Sequence, residues 1–134
     1  MLVAGMLIAA GGGDEQSASE RFRDRVDDVC RDSNAELRAS QAVLPANPTP
    51  DQAALFLGDV YVDLYRERIN ALRAVQQVPG DDADRYAQLV TDFEDVVDRI
   101  EADPARFVSV DPFAELNPRW EEFGTPACAD PAQT

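Results

Sequence analysis

The chain has 134 residues, which suits one small domain and leaves no room for two. Its 26 Asp and Glu residues outnumber its 12 Arg residues, and a formal charge of −14 disfavours binding to nucleic acid or to an anionic membrane surface. Because histidine is absent, Ser-His-Asp and Cys-His triads, His-containing zinc sites and Glu-x-x-His di-iron sites are excluded.

Residues 1–17 are predicted to be an export signal-like leader with a Gly-rich tether. The apolar run from Met1 to Ala10 is about half the roughly 20 residues that a transmembrane helix needs, and it is typical of an export signal. No basic residue precedes it, so either the signal is atypical or the true start lies upstream. The stretch 7–14 is similar to a bacterial lipoprotein signal, but Ala10 or Gly11 stands where the lipidated cysteine is expected. Cleavage, lipidation and retention of the leader therefore stay open, and only a retained or lipidated leader is expected to reach a membrane.

Residues 18–134 are predicted to form a helical bundle domain. The first helix is predicted over residues 18–44, where one apolar stripe recurs at steps of three and four. The Pro-rich segment 45–50 then ends this helix and forms a stiff connector. The residues of the stripe are Phe22, Val26, Val29, Ser33 and Leu37.

The second and third helices are predicted over residues 50–78 and from about Asp81 to Ala102. Thr49 is a suitable N-cap for the second helix, and Pro79-Gly80 is expected to stop it. Asp81 or Asp82 is expected to cap the third. The apolar face of the second helix is broad enough to contact more than one neighbour.

The last segment keeps an apolar spacing of three to four residues, but Pro112 and Pro118 interrupt it. Two short helical pieces are therefore expected, followed by a C-cap at Gly124 and an extended tail. No β-type alternation of useful length occurs. The predicted fold is all-α, an antiparallel up-and-down helical bundle with three long helices and a broken fourth.

Cys30 and Cys128 are the two cysteines of the chain. An even cysteine count in an exported chain favours a disulfide, whereas two thiols without histidine cannot build a four-ligand zinc site. Redox catalysis is disfavoured because the chain has no C-x-x-C motif. One disulfide and an extracytoplasmic location, secreted or at the cell envelope, are therefore predicted.

Two segments carry a resemblance to a known class of proteins. They are VCRDSNAEL at residues 29–37 and FGTPACA at residues 123–129. With the leader and the Pro-rich connector, they resemble the small secreted or lipoprotein-like helical proteins of actinobacteria. The resemblance implies that the cysteine of the early C-x-x-x-N turn pairs with the one near the C-terminus. It implies no activity, since that group has no established one.

Several polar and aromatic residues are candidates for a site. Asp92, Asp95 and Asp98 recur at three-residue steps and could hold a hard cation such as Ca²⁺, but a solvated helix face is the favoured explanation. Asn34 and Arg68 fall near apolar stripes and are candidates for a buried polar network or pocket, with surface placement or simple hydrogen bonding as the favoured alternative. Four aromatic residues are candidates for lining a ligand cavity, with simple core packing as the alternative: Tyr61, Tyr65, Tyr86 and Trp120.

These features favour a non-enzymatic extracytoplasmic domain that interacts with another envelope protein or component. This hypothesis predicts an exposed apolar patch around residues 107–120. The alternative is a carrier or sensor that binds a small ligand between helices. An enzyme with paired carboxylates is the least favoured reading, and no metal or cofactor is expected.

Overall fold

The computed structural model describes residues 16–129, which are helical with no β-strand. The predicted leader, its Gly-rich tether up to residue 15 and the last five residues lie outside the described residues. Four helices pack together, as predicted, into an all-α bundle: α1 at Ala18–Ser40, α2 at residues 50–74, α3 at Gly80–Ala102 and α4 at Asn117–Phe123. Short 3₁₀ turns occur at Gln41–Val43, Pro104–Phe107 and Pro126–Cys128.

Capping boxes begin the first two helices. The Ser17 hydroxyl accepts from the Glu20 amide at 3.1 Å, and the Glu20 carboxylate accepts from the Ser17 amide at 2.9 Å. Thr49 and Gln52 make the same pair of bonds at the start of α2, with Pro50 at the first helical position. The predicted N-cap at Thr49 is confirmed.

The junction between α2 and α3 differs from the prediction. Helix α2 ends at Ala74, four residues early, because Val75 is extended and Gln77 takes a positive φ of 60°. The N-cap of α3 is Pro79, so Asp81 and Asp82 are not caps and lie in the first turn instead. A carboxylate there is favourable to the helix dipole, and that of Asp82 is buried beside the Arg23 guanidinium at 3.2 Å.

Pairs of contacts between helices show their relative directions. Helices α1 and α2 are antiparallel. Gln41, just after α1, bonds to Tyr61 in the middle of α2, whereas Arg25 near the start of α1 bonds to Gln76 just after the end of α2. Helix α3 runs antiparallel to α2, with Arg66 near Glu101 and Arg73 near Glu94. The broken fourth segment returns along α3, where Arg119 pairs with Asp92 and Phe123 lies near Tyr86.

The predicted disulfide joins Cys30 in the middle of α1 to Cys128 in the closing turn, with 5.0 Å between the Cα atoms. Two hydrogen bonds reinforce it. The Ala127 amide donates to Asp27 Oδ1 at 2.9 Å, and Asn34 Nδ2 donates to the Ala127 carbonyl at 2.8 Å. The closing segment is thus bonded to α1 through a covalent bond and through both backbone groups of one residue.

Candidate ligand-binding site

A cavity of about 580 Å³ opens at the end of the bundle where α1 stops and α2 begins. We call it the tyrosine pocket. Its volume lies within the range of about 300 to 1,000 Å³ that is usual for small-molecule sites. Most of its lining is apolar, for example Leu44, Pro45, Phe56, Leu57, Phe107 and Pro112, and its polar groups are Gln41, Tyr61, Tyr65, Ser109 and Asp111.

Two tyrosines one helical turn apart form the inner wall. The rings of Tyr61 and Tyr65 meet edge to face with centroids 5.7 Å apart, and the Phe56 ring lies 5.1 Å from that of Tyr61. Gln41 Nε2 donates to the Tyr61 hydroxyl at 2.5 Å, which connects the last turn of α1 to the pocket. The Tyr65 hydroxyl is buried and has no hydrogen-bond partner within residues 16–129. Among the residues that line the pocket, it is the buried side-chain polar atom that the described part of the chain leaves without a partner.

A π-helical turn at Leu57–Tyr61 positions these tyrosines. Such turns occur often at functional sites, because they widen a helix locally and rotate the residues that follow. Gly58 lies within this turn, and a Cβ there would come within 2.9 Å of Pro104 Cγ. Glycine therefore permits the 3₁₀ turn after α3 to approach α2 and close one side of the pocket.

The segment after that turn supplies the opposite wall. Asp111 Oδ1 accepts from the Phe113 amide at 2.9 Å, and its Oδ2 accepts from Asn117 Nδ2 at 3.2 Å. These bonds fix the turn that leads into α4 and hold the Asp111 carboxylate at the pocket. Pro112 follows and has no amide hydrogen, so this wall has few backbone donors.

Both pocket tyrosines are held in the neutral form. Burial raises the pKa of Tyr65 strongly, and the nearby Tyr61 and Asp111 raise it further, whereas Arg68 lowers it. Burial also raises the pKa of Tyr61, and the hydrogen bond from Gln41 partly offsets this effect. Each hydroxyl therefore keeps its proton at neutral pH and can both donate and accept.

Arg68, one turn beyond Tyr65 on α2, is buried inside the bundle with 2 % exposure. Its Nε donates to Ser33 Oγ at 2.8 Å and its Nη2 bonds to Asn34 Oδ1, so the predicted pair lies in one polar network. Its Nη1 has no partner, and no carboxylate pairs with it within residues 16–129. Burial lowers its pKa to about 10, so the guanidinium stays charged at neutral pH.

The other aromatic candidates do not line the tyrosine pocket. Tyr86 is 6 % exposed and donates to the Leu72 carbonyl at 2.5 Å, and Trp120 is 1 % exposed. Both are core residues, which was the alternative interpretation. In the predicted exposed patch at residues 107–120, Val108 and Val110 are 36 % and 59 % exposed, but the larger side chains of Phe113, Leu116 and Trp120 are buried.

The three aspartates of α3 do not form a common site. Asp92 pairs with Arg119 at 2.8 Å and Asp98 pairs with Arg66 at 2.7 Å, so neighbouring elements draw these two carboxylates in different directions. Within residues 16–129, no group of three or more Cys, Asp or Glu side chains is arranged to hold a metal ion. These aspartates form a solvated helix face with ion pairs.

Sequence reasoning missed three parts of the pocket: Gln41, Asp111 and the π-helical turn. One available signal was Gly58, since a glycine inside an otherwise apolar helix often indicates a close approach of another segment. Asp111 before Pro112 resembles any turn-forming pair. Nothing in the local sequence places that pair opposite Tyr65.

Comparison of the chain with protein-family models, curated proteins and solved structures finds no match. None of the helices in the described part of the chain combines the length and the apolar character needed to cross a membrane. The interpretation of the site therefore depends on its own geometry.

Proposed function

We propose that this chain is an extracytoplasmic, non-enzymatic domain that carries or senses a small, largely apolar ligand in the tyrosine pocket. The observation that supports it most strongly is the 580 Å³ largely apolar cavity, whose lining includes Tyr65 with a buried hydroxyl that has no partner within the described residues. A buried hydroxyl without a partner costs about 1 to 3 kcal/mol. A ligand with one well-placed polar group recovers that cost.

The disulfide supports the extracytoplasmic part of the proposal. Disulfides persist in oxidising compartments and are rare in the reducing cytosol. The bond between Cys30 and Cys128 spans 98 residues and is buried at both ends. Together with the export signal-like leader at residues 1–17, it favours secretion or attachment to the cell envelope.

The chemistry of the pocket favours binding over catalysis. A general base works best when its pKa lies near the operating pH, but the tyrosines of the pocket have pKa values raised above 10. Asp111 already accepts two hydrogen bonds within its own turn. The pocket therefore offers shape, aromatic surface and hydrogen bonds, which are what a carrier or sensor needs.

A thermal-shift screen tests the proposal. The purified domain is heated with a panel of lipids and apolar metabolites and with the neutral fluorescent probe N-phenyl-1-naphthylamine, because a molecule that binds the folded state raises the melting temperature by mass action. We expect the probe to raise it, and Tyr65→Phe to change the binding of panel members that carry a polar group.

Tyr86→Phe is the matched control, since Tyr86 lies outside the pocket and its hydroxyl already has a partner. It should lower the baseline melting temperature and leave the ligand-induced shift intact. If no probe or panel member raises the melting temperature, the tyrosine pocket does not bind small apolar ligands and the proposal is wrong.

A second candidate function is contact with an envelope protein. It is supported by the exposure of four large apolar side chains, which is 75 % for Val43, 65 % for Leu55, 36 % for Val108 and 59 % for Val110. A photo-crosslinking amino acid at Val110, compared with one at the exposed Asp84, tests it in intact cells. A discrete adduct from position 110 alone supports this function, and identical patterns from both positions argue against it.

A further inference from the structure

The formal charge on the lining of the tyrosine pocket is negative. Among the described residues that line it, Asp111 is the one with a formal charge. The polar groups beside it, from Gln41, Ser109 and the two tyrosines, are neutral. An anionic ligand would meet this carboxylate without an opposing cation on the lining, whereas a cationic group would find its counter-charge already in place.

The aromatic rings of the lining have the same preference. The electron-rich face of an aromatic ring attracts an ammonium group within about 6 Å, and several rings around one cation form an aromatic cage. Phe56, Tyr61 and Tyr65 are linked by centroid distances of 5.1 and 5.7 Å. A fourth ring, Phe107, already has the guanidinium of Arg106 at 5.8 Å from its centroid, although Arg106 does not line the pocket. This cation disfavours a second one at the same ring, so the ammonium group is placed at Phe56 and Tyr61.

The nearest buried cation does not reverse this preference. The guanidinium of Arg68 lies beyond Tyr65, and its hydrogen bonds point towards α1, to Ser33 and Asn34. Their dipoles offset part of its charge. The formal charge of −14 for the whole chain acts in the opposite direction and concentrates cations near the surface.

We infer that the tyrosine pocket binds an amphiphilic organic cation, a molecule with an amine or quaternary ammonium group on an apolar body. The ammonium group lies against the rings of Phe56 and Tyr61, with Asp111 as its counter-charge. The apolar body fills the remainder of the cavity against Leu44, Leu57 and the proline side chains. If the cation carries an N–H group, the Tyr65 hydroxyl accepts from it.

This inference rests on the proposed function, so its test separates the two. Octyltrimethylammonium, 1-octanol and octanoate share one apolar body and differ in head-group charge. Each is titrated into the domain saturated with N-phenyl-1-naphthylamine, and displacement of the probe reports its affinity. We expect octyltrimethylammonium to bind about tenfold more tightly than 1-octanol at low salt, and octanoate to bind more weakly than either.

The preference for octyltrimethylammonium over 1-octanol should weaken when sodium chloride is added, because salt screens a partly exposed ion pair. The affinity for 1-octanol should stay constant. Asp111→Asn should lower the affinity for octyltrimethylammonium about tenfold and leave that for 1-octanol within about twofold. Asp84→Asn is the matched control. It removes the same charge from an exposed position outside the pocket and should change neither affinity.

The outcomes are distinct. Equal affinity for the three octyl compounds, or tighter binding of octanoate, overturns the inference and leaves the proposed function in place. An equal loss in Asp84→Asn and Asp111→Asn shows attraction by the overall charge and also overturns it. If neither N-phenyl-1-naphthylamine nor any octyl compound binds, the proposed function fails and the inference fails with it. Salt also screens attraction by the overall charge, so the variants decide between these two explanations. If Asp111→Asn does not fold, Phe56→Leu takes its place, because loss of an aromatic ring should weaken binding of octyltrimethylammonium more than that of 1-octanol.

Discussion

The two ends of the bundle are built differently. At one end, which we call the clamped end, the start of α1 meets the start of α3 and the end of α4. The Phe22 ring lies 4.8 Å from that of Tyr86 and 6.4 Å from that of Phe123, and all three side chains are almost fully buried. The buried carboxylate of Asp82 pairs with Arg23 at the same end.

The opposite end, which holds the tyrosine pocket, is closed mainly by connecting segments. Pro45 and Pro48 on one side and Pro112 on the other replace the close helix contacts of the clamped end. Leu55, Val108 and Val110 are exposed there, and the Tyr65 hydroxyl is unpartnered in the described part of the chain. The pocket end thus lacks the close helix packing of the clamped end.

Because of this difference, the contacts that stabilise the fold are largely separate from the proposed ligand-binding site. The disulfide joins the middle of α1 to the closing turn, so the closing segment is held to α1 without help from the pocket end. That end can keep an open cavity and an unpaired hydroxyl, features that cost stability and are common at functional sites. Changes at the two ends should therefore have different consequences.

The largest effect is expected from loss of the disulfide. Replacing both Cys30 and Cys128 by Ala should lower the free energy of unfolding by about 4 kcal/mol, because the bond closes a loop with a sequence separation of 98. Urea unfolding followed by the fluorescence of Trp120 measures it. Binding of N-phenyl-1-naphthylamine should stay within about twofold at temperatures where the variant is folded.

Reduction of the wild-type protein with dithiothreitol should reproduce this loss, and the reductant should not affect the double variant. A loss below about 1 kcal/mol would show that the closing turn is held by its hydrogen bonds alone, contrary to the stabilising role assigned to the disulfide.

Truncation of one phenylalanine at each end compares the packing directly. Phe22→Ala should cost about 4 kcal/mol, since the side chain is fully buried among other rings. Phe56→Ala should cost about 1.5 kcal/mol, because Phe56 is only partly buried at the pocket wall. The same urea titration measures both variants.

Probe binding should show the reverse order, with a loss in Phe56→Ala and little change in folded Phe22→Ala. Equal costs in stability would mean that the two ends are packed alike, and the contrast between them would have to be abandoned.

A smaller effect is expected at the Arg68 network between the two ends. Ser33→Ala should cost about 2 kcal/mol, because it leaves the buried Nε of Arg68 without an acceptor. Arg68→Met should change stability by less than about 1 kcal/mol, since it removes a buried charge that has no counter-ion and fills similar space. A loss above about 3 kcal/mol in Arg68→Met would indicate that the charge has a stabilising partner.

The smallest effect at neutral pH concerns the titration of the three tyrosines, which becomes important only in alkaline solution. Burial raises the pKa of Tyr61, Tyr65 and Tyr86 above the ordinary value of 10.0, so the folded state favours their neutral form. Their contribution to stability is complete below about pH 10 and is lost as the pH rises through the folded-state values. We expect tyrosinate absorbance to rise with the loss of helical circular dichroism.

Ionisation of all three tyrosines near pH 10 with the helices intact would contradict the burial of their hydroxyls. We expect Tyr61 to ionise first, because the hydrogen bond from Gln41 lowers its pKa and so offsets part of the effect of burial. A Tyr86→Phe variant identifies the contribution of the clamped end to the signal.

The sequence was sufficient for features that depend on local chemistry. Helix periodicity, the cap at Thr49 and the pairing of two cysteines each follow from a few neighbouring residues or from composition, and the structure confirms them. The end of α2 was placed too late, because its termination depends on the extended Val75 and not on the later Pro79.

The pocket could not be predicted from the sequence, because it depends on contacts between residues that are far apart in the chain. Tyr61 and Tyr65 were candidates among four aromatic residues, and the sequence could not separate them from the core residues Tyr86 and Trp120. The separation depends on which segments cover each ring, and Asp111 reaches the pocket from about 50 residues away in the chain. Long-range placement of this kind leaves no periodic signal.

The most direct test of the central claim is an amide chemical-shift titration by NMR, with the neutral 1-octanol added to the ¹⁵N-labelled domain. We expect perturbations to concentrate in residues 41–48, 53–65 and 107–112, with the amides around Phe22, Tyr86 and Phe123 unchanged. Perturbations centred on the clamped end, or none at saturating 1-octanol, would contradict the assignment of the tyrosine pocket as the ligand site.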